Sequence, residues 1–201
     1  EIVNTELILA DLQTMENSKT KNLNLEKKLN AGELAGEEGK EWQLLTAKPV
    51  IYVMNINSVT RVGDLGGLGD VVYIDAKLEA DLAVLTAAEQ KEYLASLGIK
   101  DSGVNQLINK CYEKLGLISF LTAGVKEVRA WTIRSGLKAP QAAGVIHTDF
   151  EKNFIKAEIV GFEDFVECGG WKKARELGKV RLEGKEYVIN DGDVIEFKIG
   201  V

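Results

Sequence analysis

The chain has 201 residues, of which 45% are hydrophobic and 28% are charged, and its formal net charge is −6. This composition is typical of a globular protein with one large domain or two modest ones. No apolar run approaches the roughly 20 residues that cross a bilayer, and no signal-peptide pattern opens the chain, so we expect a cytoplasmic protein rather than a membrane or secreted one.

Residues 1–47 are expected to be largely helical. Apolar residues recur at three- and four-residue steps from Leu7 to Met15, which predicts an amphipathic helix, and a second helix is expected over Leu23–Leu34. Two successive helices with charged flanks indicate a helical hairpin or a short coiled coil. Helices that simply pack into a core remain the alternative, because the pattern is too short for sustained heptads.

Two continuous apolar runs, Val50–Met54 and Val71–Ile74, predict strands buried on both faces. In doubly wound α/β folds, ligands bind just beyond the carboxyl ends of such strands. Those ends carry Asn55-Ile56-Asn57-Ser58 and Asp75-Ala76-Lys77, which read as loops. The Asn amide can face a base edge and the second loop can offer backbone N–H groups, although Asn and Asp are also common loop formers.

Between these strands lies the glycine-rich stretch 58–70, which superficially resembles a phosphate cradle. It has no Lys-Ser/Thr pair after a glycine and opens no convincing helix, so it meets neither the P-loop nor the dinucleotide pattern. We expect either a flexible loop or a point at which residues are missing. Further on, Thr86–Leu97 predicts a helix with Thr86 as N-cap and Glu89 as its capping-box partner. A further helix is expected over Val104–Leu115.

From residue 115 onward, the pattern indicates a compact α+β domain with a half-wrapped sheet. Strands are expected at Ile118–Thr122 and Val128–Ile133, joined by a hairpin turn at 123–126. The other expected elements are helices at 139–146, 162–168 and 171–177, short strands at 155–160, 179–182 and 187–189, and a final turn and strand at 191–199.

No metal site and no catalytic residue is expected in this chain. Cys111 and Cys168 lie far apart with no CxxC or histidine companion, so we expect buried or bystander thiols rather than a disulfide or zinc site. The single histidine, His147, follows the predicted helix 139–146 and suits a capping position there.

The stretch Thr122–Ile159 is a basic island in an acidic chain. Up to Lys156 it contains six basic and three acidic side chains, whereas residues 1–117 contain 12 basic and 18 acidic ones. A local excess of positive charge indicates an anionic partner, although a solvated mixed-charge face has the same signature. Arg129 and Trp131 lie two residues apart and so share one strand face, where Trp131 is expected to belong to the core.

The same island carries a resemblance to a known family. Its sequence, TAGVKEVRAWTIRSGLKAPQAAGVIHTDFEKNFIKAEI, closely resembles the C-terminal TGS domain of the YchF/Obg-like ATPases. The ending EGKEYVINDGDVIEF agrees with that domain. NTELILADL, KPVIYVMNIN and DAKLEADL look like further pieces of the same proteins in the same order, so the resemblance covers nearly the whole chain.

The resemblance implies an α+β protein in which a β-grasp TGS domain follows a helical arm and a remnant of a P-loop NTPase α/β domain. It implies a helical or coiled-coil arm at 1–47, the C-terminal portion of the GTPase-like domain at 48–114 and the TGS domain at 115–201. Family members bind and hydrolyse ATP in preference to GTP and associate with ribosomes. The implied cofactor of the whole protein is therefore ATP or GTP with Mg²⁺.

The nucleotide-binding residues implied by the resemblance are Asn55, Ile56 and Asn57 with Asp75, Ala76 and Lys77. Asn55 matches the first position of the family's Asn-x-x-Glu base-recognition motif. The acidic position falls on Ser58, which cannot make the carboxylate contact and puts the preference for ATP over GTP in question.

Several family features have no counterpart in this sequence. The resemblance places the phosphate-binding loop, the magnesium ligands and both switch regions before Glu1, so we expect no hydrolysis by this chain alone. It also implies a longer arm than residues 5–47 allow and a crossover helix between the two strands. We therefore expect segments of the relatives to be missing within 17–42 and 57–70.

The expected role of this chain is an RNA-, ribosome- or protein-binding module, with ribosomal RNA or a tRNA end as the RNA. Lys126, Arg129, Lys152 and Lys156 would contact phosphates, and His147 would hydrogen-bond or stack on a base. Neither DNA nor a membrane is an expected partner. Two alternatives stay open: a structural coupling domain without RNA contact, and a hydrolase active only with its N-terminal domain.

Overall fold

The computed structural model describes residues 2–57, 71–124 and 127–200. These residues fall into two compact units, one formed by 2–54 with 71–72 and the other by 55–57 with 73–200. The predictions about the glycine-rich stretch, including Ser58, and about Lys126 in the hairpin turn concern residues outside the described part of the chain.

The N-terminal unit begins with two helices, α1 (Ile2–Glu16) and α2 (Leu23–Asn30), followed by single turns of 3₁₀-helix at Gly36–Gly39 and Leu45–Ala47. The prediction that the second helix extends to Leu34 is wrong. Gly32 has φ +82° and the N–H of Glu33 donates to the carbonyl of Lys28, so a Schellman-type turn ends the helix.

The core of this unit joins both helices to the segment that follows them. Its buried apolar side chains are Ile8, Met15, Leu25, Leu29, Ala35 and Leu44. Trp42 packs against the same cluster from a half-buried position. The helices therefore pack into a shared core with residues 35–47, and a coiled-coil arm remains a prediction.

Asp11, on α1, is 1% exposed and links the helix to the end of the segment. One carboxylate oxygen accepts the N–H of Leu45 at 2.7 Å, and the other accepts the N–H and Oγ1–H of Thr46 at 2.8 and 2.7 Å. The Thr46 hydroxyl oxygen in turn accepts the N–H of Ala35 at 2.9 Å. One buried carboxylate thus satisfies three donors from a distant part of the chain.

The next two strands, β1 (Tyr52–Asn55) and β2 (Val71–Ile74), pair as a two-stranded sheet. The expectation that both strands are buried on both faces is wrong for β1, where Tyr52 is 39% and Val53 51% exposed. The reason is that, within the described residues, β2 is the one neighbour of β1, and a two-stranded ribbon leaves its side chains accessible.

Three helices follow: α3 (Ala76–Ala83), α4 (Ala87–Ser96) and α5 (Gly103–Leu115). The capping box predicted for Thr86 and Glu89 is present at the start of α4. Helix α3 was not expected, because Asp75-Ala76-Lys77 read as a loop. Asp75 instead serves as the N-cap, with its carboxylate accepting the N–H groups of Lys77 and Leu78.

A five-stranded mixed sheet organises the rest of the chain, in the order β4-β3-β7-β5-β6. The predicted β3–β4 hairpin is antiparallel, β3 runs parallel to β7, and β5 runs antiparallel to both β7 and β6. The strands are β3 (Leu117–Ala123), β4 (Val128–Arg134), β5 (Phe154–Gly161), β6 (Arg181–Glu183) and β7 (Asp193–Ile199).

Helices lie on both faces of this sheet. Helix α6 (Ala139–Ile146) packs Ala142 and Ala143 against Phe120, Ile159 and Ile195 in the main core. On the other face, α8 (Phe162–Cys168) and α9 (Trp171–Glu176) bury Cys168 and Ala174 against Val160. Cys168 is therefore a buried free thiol, and Cys111 is a half-buried one.

Three details of this domain differ from expectation. Residues 187–189 do not form a strand, because Val188 makes one isolated bridge to Lys138 and Tyr187 is engaged through its side chain. The strand predicted at 179–182 is displaced to Arg181–Glu183, where it pairs with β5. The short helix α7 (Thr148–Lys152) was not predicted, since its N-cap is the single histidine.

Candidate functional site

The two loops expected to hold a nucleotide base lie next to each other in the second unit. Oδ1 of Asn55 accepts the N–H of Ala76 at 3.4 Å, and the N–H of Ile56 donates to the carbonyl of Ile74 at 2.9 Å. With Oδ1 engaged, the amino group of Asn55 is the part of the side chain that can donate to a ligand. Asn55, Asn57 and Lys77 are exposed, and Asp75 and Ile56 are half-buried.

The second loop uses its own backbone donors inside the protein. The N–H of Ala76 is bonded to Asn55, and the N–H of Lys77 is bonded to the Asp75 carboxylate at 3.0 Å. A base could accept from these two groups only by displacing the present acceptors. The donor best placed for a ligand is therefore the Asn55 side chain rather than the backbone of the loop.

Beside these loops is a cleft of about 590 Å³. This volume lies in the range of small-molecule sites, which is roughly 300–1,000 Å³. The apolar lining and the Asn55 amide nearby fit a planar base. The charged lining is mostly acidic, with four carboxylates and Lys77 as the basic residue, so it does not favour a triphosphate; the lining carboxylates are Asp75, Glu79, Asp81 and Asp101.

Glu79 and Gly103 fix the wall of this cleft. One Glu79 oxygen accepts the N–H of Gly103 at 2.7 Å and that of Val104 at 3.3 Å, which caps the start of α5 from α3. Gly103 sits so close to β2 that an added Cβ would lie 2.8 Å from the carbonyl oxygen of Tyr73 and 3.0 Å from Cα of Ile74.

In the C-terminal sheet, Arg129 and Trp131 form a stacked pair. The Arg129 guanidinium lies 4.1 Å from the Trp131 ring centroid, a cation–π distance. The indole N–H donates to Oγ1 of Thr122 at 2.9 Å, and the ring packs against the main core. Both expectations for this pair, the shared strand face and the core position of Trp131, are confirmed.

His147 lies between two helices, ending α6 and beginning α7. Its Nδ1 accepts the N–H of Asp149 at 3.3 Å, so the imidazole acts as an N-cap of α7. The side chain is 60% exposed and its ring lies 5.7 Å from that of Phe150. His147 therefore ends α6 as expected, but its imidazole caps the start of α7 rather than the C-terminus of α6, and the exposed ring remains accessible to a ligand.

The proposed phosphate contacts do not lie on one surface. Arg129 points to the α6 face of the sheet, with Trp131 and the buried Ile133, whereas Lys156 points to the opposite face with Glu158 and Val160. Lys152 is exposed on α7. Among the described residues, none of the ion pairs includes Arg129, Lys152 or Lys156.

A charge network that the sequence did not reveal occupies the face of Lys156. Nη2 of Arg175 donates to Glu158 at 2.6 Å and to Glu196 at 2.7 Å. Lys198 reaches Glu196 at 2.6 Å. The hydrogen bond from Arg175 is the main cause that holds the pKa of Glu158 below its ordinary value of 4.5; burial opposes the shift and Lys198 adds to it.

We expect Arg175→Gln to raise the pKa of Glu158 towards its ordinary value of 4.5. Because the folded-state pKa is depressed, Glu158 stabilises the fold above its unfolded-state pKa, and that stabilisation is lost as pH falls through the lower folded value. NMR titration of the Glu158 carboxyl in both proteins measures the shift. An unchanged midpoint in the variant would show that Arg175 does not cause the depression.

The basic and aromatic stretch Trp171-Lys172-Lys173-Ala174-Arg175 also went unused in the sequence interpretation. Its composition signals a polyanion contact, but it lies outside the 122–159 island. The structure places it beside the β3–β4 hairpin, where the indole N–H of Trp171 donates to the carbonyl of Ala123 at 2.8 Å.

Comparison with known proteins identifies the family. A family model named YchF-GTPase_C, with the description "protein of unknown function", matches residues 117–200. The Bacillus subtilis (strain 168) protein "Ribosome-binding ATPase YchF" is 40% identical to the whole chain. The protein of the same name from Escherichia coli O157:H7 is 41% identical, again over all of this chain. The chain belongs to the YchF family.

A solved YchF structure shares the architecture of this chain. The "Structure of the Schizosaccharomyces pombe YchF GTPase" matches with a TM-score of 0.75 and 31% identity, over 98% of this chain and 64% of that one. The mixed α/β architecture is therefore that of a YchF protein.

This chain is shorter than its YchF relatives. It spans 66% of the B. subtilis and E. coli proteins. The alignment with the B. subtilis protein is 241 positions long against the 201 residues present here, which leaves 40 positions without a residue of this chain. These 40 positions confirm that segments of the relatives have no counterpart in this chain. Their placement within 17–42 and 57–70 stays a prediction.

None of the helices within 2–57, 71–124 and 127–200 is long and apolar enough to cross a bilayer. Over the same residues, no three His, Cys, Asp or Glu side chains are grouped as a metal site requires.

Proposed function

We propose that this chain is part of a ribosome-associated, nucleotide-binding protein and that its own role is to contact ribosomal RNA. The observation that carries the proposal is 40% identity, over the whole chain, to a protein named ribosome-binding ATPase. A protein with this role works in the cytoplasm, which is the location we propose, with neither DNA nor a membrane as partner.

The proposal assigns the C-terminal domain at 115–201 to the TGS type. A mixed five-stranded sheet with one helix, α6, packed across its main core supports a β-grasp arrangement. Residues 1–47 would be a shortened helical arm, and residues 48–114 the last part of a GTPase-like domain. The exposed strand β1 supports this division, because an edge of a larger sheet would normally be covered.

Nucleotide binding belongs to the whole protein in this proposal. Asn55, Ile56 and Asn57, with Asp75, Ala76 and Lys77, would surround the base of ATP or GTP. When bound, the nucleotide with its Mg²⁺ would supply the phosphoanhydride that is hydrolysed. The residues of this chain orient the base: Asn55 donates from its amino group, and Ile56 with Tyr73 offers apolar surface.

RNA contact is proposed for the exposed cations of the C-terminal domain. Arg129 and Lys152 take part in no ion pair among the described residues, so phosphates would meet them without displacing a carboxylate. Lys156 also makes no ion pair there, but it shares its face with Glu158 and helps to lower the pKa of that carboxyl. His147 adds an exposed ring that can stack on a base. Lys126, outside the described residues, belongs to the same proposed set.

Charge reversal tests this proposal. We expect Lys126→Glu with Arg129→Glu to weaken binding of ribosomal RNA by the 201-residue chain, with a smaller salt dependence, because phosphate contacts release counterions. Lys91→Glu with Lys185→Glu is the matched control, since both lysines are exposed outside the proposed set. No binding of ribosomal RNA by the unmodified chain would refute RNA contact and favour a structural coupling domain.

A second candidate activity is nucleotide hydrolysis, favoured by the word ATPase in the names of the relatives. We expect this chain alone to release no phosphate from ATP, because its cleft presents carboxylates rather than a phosphate-binding loop. A phosphate-release assay with Mg²⁺ decides the question. Measurable turnover by the chain would contradict the proposal that hydrolysis belongs to the whole protein and not to this part of it.

A further inference from the structure

A groove of about 1000 Å³ opens on the sheet face opposite α6. One wall is the end of the β3–β4 hairpin and the other is the junction of α8 with α9. The lining combines glycine backbone, aromatic rings and basic side chains. The residues that form its floor and walls include Ala123, Gly124, Val128, Phe165, Gly170 and Trp171.

Trp171 presents a fixed aromatic surface in this groove. Its indole N–H donates to the Ala123 carbonyl at 2.8 Å, which ties α9 to the end of β3. The Phe165 and Trp171 rings form a T-shaped pair, with centroids 5.2 Å apart and planes at 72°. A half-buried ring held at its N–H and packed against a second ring has little rotamer freedom to lose when a ligand binds.

Two lysines give the groove its available positive charge. Lys172 and Lys173 are exposed, and no ion pair among the described residues includes either. Arg175 lies 5.4 Å from the Trp171 centroid and is bonded to Glu158 and Glu196. Since Arg175 and Lys198 neutralise Glu196, the lysines face Glu176 as the remaining lining carboxylate.

We propose that this groove binds single-stranded RNA, with one base against Trp171 and the adjacent phosphates on Lys172 and Lys173. The inference rests on the proposed RNA-binding function and gives it a second surface, since Arg129 lies on the opposite face of the sheet. Bases stack on aromatic side chains whatever their sequence, and flanking lysines follow the phosphates. The glycine floor leaves room for a sugar, because Cβ atoms added at Gly169 and Gly170 would meet nothing within 4 Å.

An acidic peptide would satisfy the two lysines but would leave the Trp171 surface unused. A nucleotide uses both, which is why the geometry favours RNA. Double-stranded RNA fits less well, since its bases are stacked within the helix and its recognition rests on backbone contacts.

The test measures binding of a fluorescein-labelled oligouridylate of about 12 nucleotides to the 201-residue chain over a range of salt. We expect Lys172→Ala with Lys173→Ala to weaken binding at low salt by about tenfold or more. The slope of log affinity against log salt should fall by about 1.4, because each lost phosphate contact on a single strand removes about 0.7. Lys91→Ala with Lys185→Ala, the matched control, should leave both quantities unchanged.

Trp171→Leu gives an independent arm that does not depend on charge. It keeps an apolar side chain against Phe165 and removes the aromatic surface on which a base would stack, so we expect weaker binding with the same salt slope. Thermal unfolding of this variant checks that the fold is retained. Normal RNA binding by a folded Trp171→Leu protein would overturn the stacking contact.

Three further outcomes distinguish a failure of the groove inference from a failure of the proposed RNA-binding function. If the chain binds oligouridylate and both lysine pairs behave alike, the groove inference fails while the proposed function stands. If the unmodified chain binds no RNA at all, both fail. If polyglutamate of equal charge competes as well as unlabelled RNA, the groove is a peptide site and the RNA assignment is wrong.

Discussion

Replacing Asp11 by alanine is expected to lower the free energy of unfolding of the N-terminal unit by about 3 kcal/mol. The substitution removes the acceptor for the N–H of Leu45 and for both the N–H and the hydroxyl of Thr46. These groups are buried or partly buried, and each donor left without a partner costs about 1–3 kcal/mol. The stability of Asp11→Asn should lie between those of Asp11→Ala and the unmodified chain, because the amide keeps one oxygen as an acceptor but turns an NH₂ group towards a donor.

Urea unfolding followed through the indole N–H signal of Trp42 in NMR spectra measures this effect, since Trp42 packs against the core of the same unit. Glu16→Ala is the matched control. It removes an exposed carboxylate from the same helix and should change stability by less than about 0.5 kcal/mol. Equal losses for the two variants would contradict a structural role of the Asp11 hydrogen bonds.

The second large effect is expected at Gly103, in the wall of the nucleotide-side cleft. Gly103→Ala should destabilise the second unit by about 2 kcal/mol, as overpacking typically does. The new methyl would lie 2.8 Å from the Tyr73 carbonyl oxygen and 3.0 Å from Cα of Ile74. Both are backbone atoms and cannot rotate away, so α5 must shift and the bond from its N–H to Glu79 must lengthen.

Gly184→Ala provides the comparison for Gly103→Ala. Gly184 is exposed and an added Cβ there would meet nothing within 4 Å, so the substitution should be close to neutral. Thermal unfolding of both variants, followed by far-ultraviolet circular dichroism, gives the difference. If Gly103→Ala unfolds at the same temperature as the unmodified chain, helix α5 does not approach β2 as closely as described.

Local signals made much of the fold predictable from the sequence. The Thr86–Glu89 capping box, the β3–β4 hairpin and the start of α6 at Ala139, with Pro140 in its first turn, each depend on residues a few positions apart. The end of α6 at His147 was predictable for the same reason, whereas the cap that its imidazole provides to α7 was not. Such features are fixed by backbone geometry and short-range hydrogen bonds, which a sequence pattern records directly.

Two of the features that the sequence did not predict depend on partners distant in sequence. Asp11 is a helix residue whose acceptor role is set by Thr46, 35 positions away. The exposure of β1 depends on which strands lie beside it. Asp75 was misread for a local reason, because the same side chain suits both a loop and an N-cap, and its cap bonds go to the N–H groups of Lys77 and Leu78.

The candidate sites also include one feature that the sequence predicted and one that it did not. Asn55 and Ala76 meet because two strand ends adjoin, as the doubly wound pattern predicts. Arg129 and Lys156 were grouped by their closeness in sequence, yet their side chains point to opposite faces of the sheet. They lie in different strands separated by α6 and α7, so their spacing in the sequence does not fix which face each side chain takes, and the structure was needed to show the split.

Co-sedimentation of the 201-residue chain with ribosomes, at rising potassium chloride concentration, tests the central proposal most directly. We predict that the chain pellets with ribosomes at low salt and is released progressively as salt rises, because lysine and arginine contacts to RNA phosphates weaken steeply. A chain that stays in the supernatant at every salt concentration would contradict ribosome contact by this part of the protein.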